Sequence, residues 1–259
     1  GGEIAMAQGR LRFVPTAAFK TLAGEGVDQL AVSAPLAQSS NTVVPIGERL
    51  FLKGYRRLRS GTNPEFEVGS FLTDVAAFEN CVPVAGAVNY VAADGSVTAL
   101  ALLQAYVSNQ GDGWSYTVEY LDRQLADARD AAGGEPADLH GTYCTLMSTL
   151  GRRTAELHGA LVTPGGGPDF DPEPVSENDV TEWKSRVHSD AEVTLALLAK
   201  RVALLEGGVL EDARGLLEES RALLACIDAC AFDPAGARKQ RFHGDYHLGQ
   251  VLLRQNDFL

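Results

Sequence analysis

Basic side chains are scarce in this chain: 22 Lys and Arg stand against 34 Asp and Glu, a formal net charge of −12. The deficit disfavours a nucleic-acid partner, because affinity for a phosphate backbone is built from Lys and Arg. Long apolar runs are missing too. None approaches the roughly 20 residues that span a bilayer, and the opening GGEIAMAQGR lacks the basic-then-apolar order of a signal peptide. A cytoplasmic protein without membrane contact is the expectation. Cysteines are four, and no two form a CxxC pair. Cys81, Cys144, Cys226 and Cys230 therefore read as buried free thiols rather than metal ligands. Internal repeats are absent as well.

With 45% hydrophobic and 22% charged residues over 259 positions, the chain can bury one or two cores. The first third reads as strands. RLRFVP alternates, and TVVPIGERLFLKGY is two β-rich runs around Gly47. AVNYVAA and SVTALALLQAYV flank Asp94-Gly95, a type I′ hairpin signal. Between these pairs lies NPEFEVGSFLTDV, where Asn63 can cap, Pro64 suits the first helical position, and Phe66, Phe71 and Leu72 supply a buried face.

From Trp114 the period becomes helical. Trp114, Val118, Leu121 and Leu125 recur on one face, as do Leu146, Leu150, Leu157 and Leu161. His158 falls on the second helix as a packed core residue. Two further helices are expected, from Ala191 to Glu206, ended by Gly207-Gly208, and from Leu210 to Cys230. TPGGGPDFDPEP, residues 163–174, holds no regular element and is either a lid or a surface connection.

Chemistry concentrates near the end, in RFHGDYHLGQVLL. In the phosphoryl-transfer loop H-R-D-x-x-x-x-N, the Asp orients or deprotonates the attacking hydroxyl and the last residue reaches a magnesium ion. His243, Asp245 and Gln250 keep that spacing, with Gly244 at the second place and Gln at the last. The same chemistry wants a strand lysine to hold donor phosphates and a helical acid to fix it. RLFLKGY offers Lys53 and NPEFEVGSFL offers Glu67. Four basic residues, Lys53, Arg56, Arg57 and Arg59, are read as a solvated surface apart from Lys53. The expected fold class is α+β: a bilobal protein-kinase-like fold with a small antiparallel N-lobe (1–105, nucleotide-binding, one inserted helix) and a mostly α-helical C-lobe (106–259).

Four segments extend the likeness: SSNTVVPIGERLFLKGYRRLRSGTNPEFEVGSFLT, NQGDGWSYTVEYL, LGRRTAELHGAL and HGDYHLGQVL. With these the sequence resembles the aminoglycoside phosphotransferase-like kinases and, within them, the bacterial maltokinases, including those fused to trehalose synthase. The resemblance implies transfer of the ATP γ-phosphate to the anomeric hydroxyl of maltose, with ATP and Mg2+ as cofactors and a trehalose synthase domain as partner. It implies Lys53 on the ATP phosphates, Glu67 fixing Lys53, Asp245 as catalytic base and Gln250 as magnesium ligand. Ser39, Ser40, Asn41 and Thr42 match the turn over the nucleotide phosphates. Gln104 to Val107, including Tyr106, match the hinge whose backbone meets adenine. His243 would brace the loop, His247 would brace it or touch substrate, and Asp112 would cap the Trp114 helix.

In that family a second metal-binding Asp, in a D-F-E-G-E-P-like segment, falls a few residues beyond the position of Leu259. Asp257 is read here as a turn residue with Asn256, and the chain as incomplete at its C-terminal end. Two alternatives stay open: another sugar or alcohol as acceptor, and a catalytically inactive kinase-like module or fragment.

Overall fold

The computed structural model describes residues 1–35, 41–130 and 140–259. They fall into two compact units, Gly1–Asp171 with Arg241–Leu259, and Pro172–Gln240.

The first unit opens with strands β1 (Gly2–Met6) and β2 (Gly9–Pro15), a short helix α1 (Phe19–Ala23), and the hairpin β3 (Thr42–Ile46) and β4 (Leu50–Gly54) around Gly47, whose φ is +55°. Helix α2 (Pro64–Asp74) follows, then β5 (Val84–Ala92) and β6 (Val97–Ala105). The six strands form one antiparallel sheet in the order β1-β2-β5-β6-β4-β3. Helix α2 starts where its sequence dictates. The Phe66 amide donates to the Asn63 side chain at 2.9 Å, with Pro64 at the first helical position. At Gly69 the helix runs so close to β5 that a Cβ would meet Val84 Cγ2 at 2.5 Å.

The β5–β6 hairpin forms as expected, but not with a type I′ turn. That turn needs positive φ at both central residues, and of Asp94 and Gly95 only Gly95 has it, at +86°. The Asp94 carboxylate instead accepts the Ser96 amide, and the Gly95 amide donates to Ala92 O.

Helices α3 (Gly113–Asp130) and α4 (Gly141–Ala160) come next. In α4 the expected face is inside: Leu146 is buried, Leu150 and Leu157 are half-buried, and Leu161 just beyond the helix is 1% exposed. His158 is exposed, not packed in a core. In α3 the expected face is outside, with Trp114 61% and Leu125 58% exposed. That helix packs through Tyr116 and Tyr120 instead, where Tyr120 stacks on Tyr143 of α4 at 4.2 Å. Aromatic stacking on the opposite side outweighs the Trp114–Leu125 stripe.

The second unit holds β7 (Glu173–Pro174), α5 (Glu177–Arg201), α6 (Gly207–Glu218), α7 (Ser220–Ala229) and β8 (Arg238–Lys239), with β7 and β8 paired. Helix α5 begins well before Ala191, because Ser176 and Asp179 form a capping box. The Gly207-Gly208 pair opens α6 rather than closing a helix, and Glu219 separates α6 from α7. On α7 the half-buried positions are Ser220, Leu224 and Ile227, and Cys226 and Cys230 are exposed, like Cys144. Only Cys81 approaches the expected burial, and burial pushes its thiol up to about 11. All four are free.

Strands β9 (Leu253–Arg254) and β10 (Asp257–Phe258) close the first unit. Their turn is Gln255-Asn256, both at positive φ, one residue earlier than expected. No helix among the described residues is long and apolar enough to cross a membrane.

Candidate active site

Strand β4 lies between β3 and β6 and carries Lys53 toward helix α2. Lys53 Nζ sits 2.6 Å from Glu65 Oε1. The Tyr55 hydroxyl donates to Glu65 Oε2 at 2.8 Å and reaches Asn63 Oδ1 at 3.4 Å. Burial, and then the Glu65 carboxylate, hold the Tyr55 phenol well above its usual range, so it remains a donor. The acid that pairs with Lys53 is therefore Glu65, not Glu67. At about 100° per helical residue the two acids point roughly 200° apart, and the Asn63-capped start turns the first toward the sheet. Glu67 Oε2 meets Arg241 Nη2 at 3.1 Å.

The HGD segment is a tight loop. Gly244 takes a φ of +83°, a conformation that favours glycine. The Asp245 amide donates to His243 Nδ1 at 3.3 Å, and the Gly249 amide to His247 Nδ1 at 3.1 Å. His247 caps the short turn Leu248–Gln250, and its Nε2 lies 3.4 Å from the Gln250 side-chain nitrogen and 3.9 Å from Asp245 Oδ1. The Asp245 side chain is 81% exposed. Tyr246 packs edge-on against His243 and bonds Thr154 of α4 at 3.0 Å.

The following run is buried. Val251, Leu253 and Phe258 pack with Leu146 in one cluster. The NQGDGW segment runs alongside it: Gln110 donates its amide to Leu253 O, Gly113 donates to Val251 O, and Gln110 Oε1 accepts the Gln255 amide. Asp112 caps α3 by accepting the Ser115 amide at 2.8 Å, which holds its carboxyl low. Asp257 is a strand residue gripped by two nitrogens of Arg153, an anchor that also depresses its carboxyl.

A cavity of about 670 Å³ joins these parts; Lys53, Glu65, Gln104, Arg241, His243 and Gln250 lie on its wall. Asp245 is outside that lining, as are Tyr106 and Val107. The Tyr106 amide donates to Arg49 O at 2.7 Å and its ring stacks on Phe51, so the position expected to meet adenine spends its donor inside the protein. Val107 O accepts from the Asn109 side chain. Asn41 and Thr42 stand at the start of β3, where Thr42 Oγ1 accepts from Arg56. Ser39 and Ser40 lie outside the described residues.

A nucleotide's phosphates fit a wall that presents a half-buried, acid-paired ammonium. For a divalent cation the fit is partial. Gln250 offers one amide oxygen on the cavity wall, and no cluster of three His, Cys, Asp or Glu side chains among the described residues could hold a metal. Mg2+ commonly binds through one or two protein ligands with phosphate oxygens and water completing the shell, which suits so sparse a donor set.

Sequence reasoning missed Glu65, Tyr55, Arg153 and Arg241. The pair of acids in PEFE was a signal for the first, since only one of them can face the strand.

No family model matches the chain. A glucosamine kinase from Streptacidiphilus jiangxiensis is 29% identical over 154 residues, which is 59% of this chain and 29% of that protein. A solved glucosamine kinase, in its crystal form B, superposes with a TM-score of 0.59 at 21% identity, covering 96% of this chain and 51% of that one. A glucosamine kinase in complex with glucosamine, ADP and inorganic phosphate gives a TM-score of 0.56 at 21% identity, over 96% of this chain and 59% of its own. The chain thus has the bilobal kinase-like fold, and it spans about half the length of these solved relatives.

Proposed function

We propose that this chain carries the nucleotide-binding and phosphoryl-transfer part of an ATP-dependent sugar kinase, with a nucleotide-binding lobe through residue 105 and an acceptor-side lobe from 106. One observation carries the reading: the Lys53–Glu65 pair and the His243–Gln250 loop share one cavity of about 670 Å³. Lys53 would hold the donor phosphates, and Gln250 would help hold Mg2+. That ion, when bound, neutralises charge on the phosphate oxygens. Asp245 would orient the acceptor hydroxyl and take its proton as the γ-phosphoryl group passes to the oxygen and ADP leaves. Its exposure keeps it open to an incoming sugar. Dependence on ATP suits a cytoplasmic setting.

The glucosamine kinases support a small sugar as acceptor. The finer assignment, to the anomeric hydroxyl of maltose in glucan and trehalose metabolism beside a trehalose synthase domain, rests on HGDYHLGQ and NQGDGW, where Gln250 takes the place of the usual Asn. ADP release by the full-length protein with Mg-ATP separates these acceptors when maltose and glucosamine are run against glucose and trehalose. Sugar-dependent release that disappears in Asp245→Asn is the expected result. Tight ATP binding with no release for any sugar would mean an inactive kinase-like module.

A further inference from the structure

Arg241 stands two residues before His243, and its guanidinium joins three segments. Nη2 meets Glu67 of α2 at 3.1 Å, and Nε donates to Asp169 O at 2.8 Å. The Phe170 ring lies 5.4 Å from Cζ, within cation–π range. Phe170 is 6% exposed and stacks on Phe71 at 3.8 Å, one helical turn beyond Glu67. The loop beneath is as tight: a Cβ at Gly166 would lie 2.3 Å from Phe71 Cε2. The glycine- and proline-rich stretch is thus bolted to α2 over Gly166 to Phe170.

Helix α2 therefore holds two acids with two jobs. Glu65 fixes Lys53 on the sheet, and Glu67 fixes Arg241 at the root of the HGD loop. We propose that Arg241 is a positioning residue that sets the separation of Lys53 and Asp245 through α2. This rests on the phosphoryl-transfer reading above. In-line transfer depends on the separation of donor and acceptor, and a misplacement of about 1 Å can cost about 100-fold in rate. Lysine can replace this only in part, because it lacks the planar fork that meets Glu67 and Asp169 O together while stacking on Phe170.

The test compares Arg241→Met, Arg241→Lys, Glu67→Gln and the Arg241→Met/Glu67→Gln double variant in the full-length protein. Arg241→Met and Glu67→Gln should each lower kcat by about 10- to 100-fold while the Mg-ATP dissociation constant holds. The double variant should be no slower than the slower single, as expected of residues acting as one unit. Arg241→Lys should recover only part of the rate. Hydrogen exchange should quicken at residues 241–250 and 64–74 together in Arg241→Met. A weakened Mg-ATP affinity matching the rate loss would overturn the idea in favour of direct phosphate contact. Additive rate losses, full rescue by lysine, or unchanged kcat would sink it equally. Should Arg241→Met not fold, the near-isosteric Glu67→Gln carries the same readouts. If the wild-type protein phosphorylates no sugar, the functional reading falls, and exchange still decides the coupling: joint quickening supports it and unchanged exchange removes it.

Discussion

The two sides of the cavity are built by different means. On the sheet side, Lys53, Glu65, Tyr55 and Asn63 form one network between β4 and α2, half-buried and linked over 2.6 to 3.4 Å. On the loop side, the contacts of His243, Asp245, His247 and Gln250 are with one another and within a few residues, and Asp245 is 81% exposed. A network spanning two elements keeps its geometry without a ligand. A loop whose polar side chains bond locally owes its placement to its other anchors, here Arg241 at one end, Tyr246 on Thr154 of α4 in the middle, and the buried Val251 and Leu253 at the other end. Under the proposed function, the sheet side should decide nucleotide binding and the loop side the rate.

Substitutions can break or sharpen that contrast, and the largest effect belongs to the loop. Asp245→Asn should lower sugar-dependent turnover by about 10²- to 10⁴-fold with nucleotide binding intact, read by steady-state kinetics and calorimetric titration. Next comes Phe170→Ala, which removes a buried aromatic from the α2 junction and should cost about 3–5 kcal/mol of unfolding free energy in a denaturant titration. On the sheet side, Glu65→Gln should weaken Mg-ATP binding more than Glu67→Gln does, because only Glu65 touches Lys53. Equal effects of the two would erase the distinction between the sides. Asn63→Ala removes the α2 cap and should cost about 1 kcal/mol by thermal unfolding.

The smallest effect is in acid. Hydrogen bonds from Arg153 hold the Asp257 carboxyl below its ordinary value. A carboxyl depressed in the folded state stabilises above the unfolded pKa of about 3.9, and that contribution drains away as pH falls through the folded value. Arg153→Met should therefore lower Tm at neutral pH and flatten its decline below about pH 4. Parallel pH curves for the variant and the wild-type protein would show that the anchor contributes nothing.

Much of this molecule was legible in its sequence, and the losses have physical causes. Alternation and turn residues located β2 to β6, and the Asn63-Pro64 signal located α2, because those features are local. Which face of a helix is covered is not local. The apolar stripes of α3 and α4 look alike, yet Leu161 at the end of one is 1% exposed and Trp114 of the other 61%. The period announces a face, and only the neighbours decide whether it is covered. The same limit governs the site. The spacing of His243, Asp245 and Gln250 reads directly, since it lies within one loop. Choosing between Glu65 and Glu67 requires the orientation of α2 against β4, and Arg241 needs Glu67, Asp169 and Phe170 in view at once.

The bond from Arg241 to Asp169 O has a consequence for how such a protein can diversify. It ties together the points where the chain departs for Pro172–Gln240 and where it comes back. The excursion between them is a closed loop, and the cost of lengthening a closed loop rises only with the logarithm of its length. A change in the length of Pro172–Gln240 should therefore cost the first unit little for as long as the Arg241–Asp169 crossing is kept.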